Sequence, residues 1–394
     1  MTDSHQRPVP TRTRYNVCRA GTLLWKLPDE VAEGQLSDAQ KHSLLNEVCS
    51  LLDKDSRVTK VERPDINTQF TGKRMFYPVY VDDTSPALMT GSDAFSVLSL
   101  SFPILLSIHV PKKNQPQHHG VDDVPTDDYR ISWDGISVLV LWQQDKEQLP
   151  ISGGHIVAEI LQVALSATGA ELYVQNCGPA CDNVFFHTDM RVHVMDERIP
   201  SALISRHDEF SIDVSVNRMG GQFGLIAPVA REFQLEINAF SRMKNVGRRT
   251  IDIESSARGQ LNHLLGHYYD HASVNQLPFF QRIYKRWTIK GWRREARHLL
   301  AGLWLSLANL EMLRRQWQDR RDDFRDDIAE NTRKMLFDTD YARDAAKIDS
   351  MDSSHLEAAV EQVANRLDNT AVVVATIGGA LAGGLAGALV ALIH

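Results

Sequence analysis

The residues YRISWDGISVLVLW (129–142) decide the class of fold, because they predict a β-hairpin. Two apolar runs flank the dipeptide Asp134-Gly135. An Asp-Gly pair between such runs is a strong signal for a two-residue turn that joins antiparallel strands. We therefore expect two paired strands that meet at residues 134 and 135.

Segments of similar texture lie on both sides of this hairpin. Short runs rich in β-branched and aromatic residues predict strands. Such runs occur at 75–81, 94–110, 170–176, 184–187, 190–195, 210–216 and 231–240. Two helices are predicted among them: 37–55, with Ser37 as N-cap and Gln40 at the capping-box position, and 152–169, which ends at Gly169.

The order of these elements favours an α+β domain over residues 1–253. Strands outnumber helices and do not alternate strictly with them, whereas a doubly wound fold requires that alternation. We therefore predict a mostly antiparallel sheet with a few helices. This soluble domain is the part of the chain that we expect to sense a ligand or a protein trigger.

Residues 254–350 predict a helical stalk or coiled-coil region. Apolar residues step by threes and fours along one helix face from Ala296 to Trp317, and Phe324 continues the series. This spacing is typical of a long helix that packs against another helix. Its length and periodicity set it apart from the strand-rich part of the chain.

Composition indicates a globular protein and suggests no particular partner. The chain has 394 residues, of which 43% are apolar and 24% charged, with a net charge of −7. An acidic chain has no overall attraction for nucleic acid, which is therefore an unlikely partner. Four scattered cysteines are too few for a disulfide framework, so we expect reduced thiols.

The C-terminal residues 354–394 predict a helix that crosses a membrane. Residues 371–393 carry no charged side chain over 23 positions, and about 20 apolar residues span a bilayer. The first thirty residues have no apolar core typical of a secretory signal. We therefore expect a tail-anchored protein at the inner (cytoplasmic) membrane, with its soluble part in the cytoplasm and membrane lipid as a partner.

Small residues at four-residue intervals suggest that this last helix associates with copies of itself. Ala375, Gly379, Gly383 and Gly387 leave one helix face almost without side chains, as in a glycine zipper. We therefore predict a homo-oligomer. An Ala/Gly-rich helix buried in a soluble core, a simple anchor, and a tail that inserts only on activation are alternatives for the same residues.

The segment HLLGHYYDH (263–271) contains the candidate metal ligands. His263 and His267 are separated by four residues, so both imidazoles can reach one zinc ion from a helix. His271 is two turns from His263, too far for the same ion. No other cofactor is predicted, and a histidine-rich interface or a solvated helix face would explain the same spacing.

A basic and aromatic segment follows between residues 279 and 297. Basic residues beside tryptophans are typical of contact with lipid headgroups or other phosphate groups. The candidates are Arg282, Lys285, Arg286, Trp287, Lys290, Trp292, Arg293, Arg294 and Arg297. Contact with a nucleotide, or pairing with the acidic run at 319–327, are the alternatives.

The chain contains none of the familiar catalytic motifs, such as GxSxG or a P-loop. His187 lies close to Asp189 in the sequence, but acidic residues beside histidine are usually solvated. We therefore expect a non-enzymatic sensor and effector whose tail tethers it to the membrane or permeabilises it, an organisation found in bacterial antiviral or stress-defence effectors. The alternatives are a membrane-tethered enzyme, with or without a metal ion, and a scaffold that docks a partner through the stalk.

Overall fold

The protein is described by a computed structural model. It covers residues 14–28, 36–65, 67–76, 94–117, 124–175, 183–195, 198–208, 210–221, 223–274, 278, 280–281, 292–329 and 336–367. The chain divides into two compact units. The first comprises Met1–Arg74, Ser96–Ser241 and Asp327–Asp340, and the second comprises Met75–Phe95, Arg242–Asp326 and Tyr341–His394.

The predicted hairpin is confirmed at the centre of the first unit. Its strands are β6 (Asp128–Trp133) and β7 (Ser137–Gln144), which pair in antiparallel register. Gly135 has a φ of 88°, and a Cβ at this position would clash with the carbonyl oxygen of Leu98. The Asp134 carboxylate accepts hydrogen bonds from the backbone N–H groups of Ile136 and Ser137, which fixes the turn.

Within the described residues, the hairpin belongs to an eleven-stranded sheet whose main path runs β10-β11-β9-β1-β7-β6-β5-β2. Strands β4 and β8 also pair with β1, and β3 pairs with β4. The remaining strands are β1 (Tyr15–Lys26), β2 (Val58–Glu62), β3 (Phe70–Phe76), β4 (Ala94–Leu100), β5 (Ile104–His109), β8 (Glu171–Gln175), β9 (Phe185–Met195), β10 (Leu203–Arg206) and β11 (Ser211–Asn217).

The α+β class is as predicted, but the sheet is mixed. Strands β9 and β11 pair in parallel, whereas the other pairs with a described register are antiparallel. The parallel pair arises because β10 takes the place outside β11, so that β11 inserts next to β9 with the same direction. A single sequence does not reveal which of two consecutive strands takes the outer place.

One face of the sheet carries a hydrophobic core of the first unit. Helices α1 (Asp38–Lys54) and α2 (Ile156–Ser166) share this core with Trp25 and Trp133, whose rings stack at 5.3 Å. The capping box predicted at Ser37 and Gln40 is present. Both helices therefore pack as their apolar spacing predicts, although α2 begins at Ile156 and not at residue 152.

The opposite face is partly covered by the start of a long helix, α3 (Ile226–Val274). Side chains alternate along a strand, so Thr22 lies on the face opposite to Trp25. The Thr22 hydroxyl donates to the Ser241 hydroxyl at 2.9 Å, and the Asn238 amide donates to the Asp134 carboxylate at 3.0 Å. We call this the second sheet face.

The strand predicted at 231–240 is wrong, because these residues form part of α3. Phe233, Leu235 and Ile237 alternate as in a strand, which explains the error. Phe233 and Ile237 are fully buried, but Leu235 is 81% exposed. The buried residues are therefore Phe233, Ile237 and Phe240, which are separated by four and three positions, as on one face of a helix.

The second unit has its own helical core. It includes most of α3 together with α4 (Trp292–Ala329), α5 (Asp338–Asp349) and α6 (Ser354–Leu367), although α5 begins in the first unit. Leu261, Leu303 and Val360, from three different helices, lie in one buried cluster. The predicted apolar series is confirmed, since Ala296, Leu303, Leu310, Trp317 and Phe324 are all buried.

The predicted transmembrane, tail-anchored helix is not supported. Within the described ranges, no helix combines the length and the apolarity needed to cross a bilayer. Helix α6 is 14 residues long, about 21 Å, against a hydrocarbon core of about 30 Å, and it carries Glu357 and Glu361. Residues 371–393, including Ala375, Gly379, Gly383 and Gly387, lie outside the described residues.

Candidate functional site

The predicted metal ligands do not form a site in the described part of the chain. His263 is exposed on α3, and the side chain of His267 is outside the description. Among the described residues, no group of three or more histidine, cysteine, aspartate and glutamate side chains could hold a metal ion. The zinc prediction therefore gains no support from these residues.

The basic and aromatic segment is described only near its two ends, at residues 280–281 and 292–297. Trp292 and Arg293 open α4 without described side chains, and Arg294 and Arg297 are exposed on the same helix. The other candidates lie outside the described residues: Arg282, Lys285, Arg286, Trp287 and Lys290. Contact of this segment with headgroups or phosphate remains a prediction, as do membrane lipid as a partner, the cytoplasmic-membrane location and self-association.

An open depression lies on the second sheet face of the first unit, where β5, β6 and β7 run side by side. Its volume is about 490 Å³. The lining includes Thr59 at the start of β2, Ser107 on β5, Arg130 on β6 and Gln143 on β7. Arg14 and Lys112 lie in the flanking segments. The lining is therefore mainly polar, unlike the core on the other face.

The strand register brings two of these side chains together. Ser107 on β5 pairs with Arg130 on β6, and Arg130 pairs with Leu141 on β7. Directly paired residues project from the same face of a sheet, about 5 Å apart at Cβ. Because Ile108 and Ile131 belong to the core, their neighbours Ser107 and Arg130 project from the second face.

The polar side-chain groups of Ser107 and Arg130 have no partner among the described residues. Ser107 is 6% exposed, and its Oγ is buried without a hydrogen bond. Arg130 is half-buried, and its guanidinium makes no ion pair or hydrogen bond that the described residues supply. Buried polar groups are rarely left without a partner unless water or a ligand supplies one.

The carboxylates of the depression, in contrast, are all engaged. Asp145 pairs with Arg14 at 3.8 Å, and Asp127 accepts the backbone N–H of Lys112 at 2.7 Å. Asp128 lies 2.8 Å from Nδ1 of His109. The lining side chains that have no ion pair or hydrogen bond among the described residues include Arg130, Lys112 and Ser107, whose hydroxyl is buried.

Ser107, His109 and Asp128 resemble a hydrolase triad in composition but not in geometry. The hydrogen bond with Asp128 raises the pKa of His109, and the negative charge of Asp128 adds to this effect. A triad also requires a hydrogen bond from the serine to the histidine, and the Ser107 hydroxyl makes none. This arrangement can bind a ligand, but it does not activate a nucleophile.

The two described cysteines are not candidate nucleophiles either. Cys18 and Cys49 are free and buried, as expected of reduced thiols. Burial raises the pKa of the Cys49 thiol to about 11 and raises that of Cys18 further. Since the thiolate is the reactive form, both side chains are inert packing residues.

Asp189, noted in the sequence beside His187, belongs to a buried ion pair. The Arg19 Nη2 donates to the Asp189 Oδ2 at 3.1 Å, and Nη1 donates to the carbonyl of Ile151 at 3.0 Å. The guanidinium also lies 5.6 Å from the ring of Trp142. His187 instead makes an edge contact with Phe210. Because Arg19 is fully engaged, this pair anchors the 145–155 loop and does not form a binding site.

Ser107 and Arg130 were not among the candidate site residues predicted from the sequence. Each is a single polar residue between buried apolar neighbours in a strand, a pattern that also describes any solvated sheet face. Only the register of β5 against β6 brings them together. No protein-family model, curated protein or solved structure matches this chain.

Proposed function

We propose that this chain is a non-enzymatic sensor, and that its first unit binds a small polar molecule in the depression on the second sheet face. The observation that carries this proposal is the pairing of Ser107 with Arg130, two polar side chains without a partner in the described residues. They lie in the same depression. Sites of this kind acquire their partners from the ligand.

The size of the depression supports the same function. Pockets for small molecules commonly measure about 300 to 1,000 Å³, and this one measures about 490 Å³. A buried hydroxyl without a hydrogen bond costs about 1–3 kcal/mol, which a ligand acceptor or donor would recover. Its polar lining favours a hydrophilic metabolite over a lipid chain.

A blocking variant tests this proposal on the full-length chain. Gln143 is exposed and lines the depression, so Gln143→Trp fills part of it. Ser205→Trp is the control, because Ser205 is exposed on β10, away from the depression. Melting temperatures are measured with millimolar glucose, glucose 6-phosphate, adenosine, AMP, glutamine and glutamate.

We expect at least one compound to raise the melting temperature of the wild type and of Ser205→Trp, but not that of Gln143→Trp. Binding only to the native state produces such a shift by mass action. An equal shift in Gln143→Trp would place the binding elsewhere and refute the proposal. The absence of a shift with every compound would also count against it.

A further inference from the structure

We infer that the depression recognises an oxyanion, the phosphate or carboxylate group of the bound molecule, through Arg130, Lys112 and Ser107. This inference rests on the proposed function, since it specifies the chemistry of the ligand at the same site. The inference depends on which charged and polar groups of the lining already have a partner. The chemistry is shared by phosphate esters and carboxylic acids.

Arg130 is the central group. It is half-buried on β6, and the described residues offer its guanidinium no carboxylate partner. A guanidinium presents five N–H donors in a planar fork that matches two oxygens of a phosphate or carboxylate. Ser107, directly across from it on β5, adds a hydroxyl donor from the floor of the depression.

Lys112 places a second positive charge at the same depression. It is exposed, and its ammonium has no partner among the described residues, whereas its backbone N–H is bound by Asp127. An ammonium acts on phosphate as a point charge with three donors. Both cationic residues therefore line the depression in which an anion would bind.

The acidic lining residues do not reverse this preference. Each one is already satisfied: Asp127 by a backbone N–H, Asp128 by His109, and Asp145 by Arg14. A cationic ligand would have to compete for these carboxylates while it faced two cations without partners. The two cationic side chains without partners therefore favour an anionic ligand over a cationic one.

Matched pairs of compounds test this inference on the full-length protein. Glucose 6-phosphate is compared with glucose, AMP with adenosine, and glutamate with glutamine, and affinities are measured by calorimetry. Within at least one pair, the member that carries the additional anionic group should bind about 10- to 100-fold more tightly, as expected for charged hydrogen bonds. The phosphate pairs and the carboxylate pair distinguish the two sources of the oxyanion.

Variants show which residues provide the recognition. Arg130→Met should weaken the binding of the anionic member much more than that of the neutral member, and so remove the preference. Arg130→Lys, which keeps the charge but loses the fork, should retain part of the preference. Arg218→Met is the matched control, because Arg218 is exposed elsewhere in the first unit. It should bind as the wild type does.

The possible failures are distinct. If neutral and anionic members bind equally, and Gln143→Trp abolishes this binding, the oxyanion assignment is wrong and the proposed function stands. If no compound binds, both fail. Circular dichroism of Arg130→Lys and Arg130→Met establishes that each variant is folded. If neither is folded, retention of the anionic preference in Lys112→Gln and Ser107→Ala would overturn the inference, and its loss would support it.

Discussion

At the level of single residues, Arg19 and Asp189 form a buried ion pair in the sheet. Both residues are less than 10% exposed, and they oppose each other on β1 and β9. Asp189→Asn leaves the guanidinium buried without its counter-charge. We expect the free energy of unfolding to fall by about 3–5 kcal/mol, the usual result of removing one member of a buried ion pair.

Urea unfolding of Asp189→Asn measures this loss, with Glu311→Gln as control. Glu311 pairs with Arg315 at 3.0 Å, but both side chains are more than half exposed. Exposed helical pairs of this kind contribute about 0.3–0.5 kcal/mol. A loss for Asp189→Asn as small as that of the control would contradict the structural role given to the buried pair.

The pair of His109 and Asp128 predicts a pH effect. Asp128 raises the pKa of His109 first through their hydrogen bond and then through its charge, and Asp127 adds to the same shift. Because the folded-state pKa lies above the unfolded one, the pair stabilises the fold below the unfolded pKa, near about 6.5. This contribution is lost as the pH rises through the folded-state pKa.

Asp128→Asn should therefore lower the titration midpoint of His109. The midpoint is read from the imidazole signals in an NMR pH titration. Asp213→Asn, which removes the comparable partner of His193, should leave His109 unchanged. An unaltered His109 midpoint in Asp128→Asn would mean that the two side chains are not paired in solution.

Residue patterns that are local in the sequence could be predicted, and those that depend on distant partners could not. Ser37 and Gln40 are three positions apart, so their capping box can be read directly. Gly135 follows Asp134 in a turn that requires positive φ. Arg19 and Asp189 are 170 positions apart, and nothing in the sequence pairs them.

At the scale of elements, a short segment after α4 completes the core of the first unit. Phe337 stacks on Phe240 with ring centroids 4.5 Å apart and meets Phe186 edge-on at 5.1 Å. The backbone N–H of Leu336 donates to the Glu236 carboxylate at 2.6 Å. The Thr188 hydroxyl donates to Asp340 at 3.0 Å. The segment 336–340 is therefore held by apolar and polar contacts together.

Phe337→Ala should lower the free energy of unfolding by about 3–5 kcal/mol, because Phe337 is fully buried and alanine leaves a cavity between two aromatic rings. Leu235→Ala is the control. Leu235 is 81% exposed, so its truncation should change stability by no more than about 0.5 kcal/mol. Similar values for the two variants in urea unfolding would show that the segment does not pack there in solution.

The type of an element could be predicted where the spacing of its apolar residues fits only a helix or only a strand, and could not where the spacing fits both. The stripe from Ala296 to Phe324 has only a helical interpretation, and it forms α4. The apolar residues of 231–240 fit the spacing of a helix and that of a strand. The exposure of Leu235 shows that the helical spacing is the one that packs. The parallel pairing of β9 with β11 depends on strand order, which local propensity does not encode.

At the scale of the whole molecule, the described chain forms two units, each with its own buried cluster. The α+β class follows from the many short strands and the long helices. The predicted membrane-spanning helix is not supported, because none of the described helices is both long enough and apolar enough. The long helices α3 and α4 are rich in charged residues, and α6 is too short.

The candidate site is a property of the assembled sheet and not of any segment. Its polar groups come from the segment before β1, from β2, from the strands β5, β6 and β7, and from the segments that follow β5 and β7. Each contributes one or two residues that resemble an ordinary solvated position. The motifs visible in the sequence, the histidines of 263–271 and the basic segment of 282–297, are not brought to this depression within the described residues.

Backbone hydrogen exchange is the most direct test of ligand binding at the depression. Exchange in the full-length protein is measured with and without the panel compound that raises the melting temperature most. We predict slower exchange in β5 and β6 around Ser107 and Arg130, and no such change in Gln143→Trp. Protection confined to other elements, or equal protection in Gln143→Trp, would contradict the claim that this depression is the binding site.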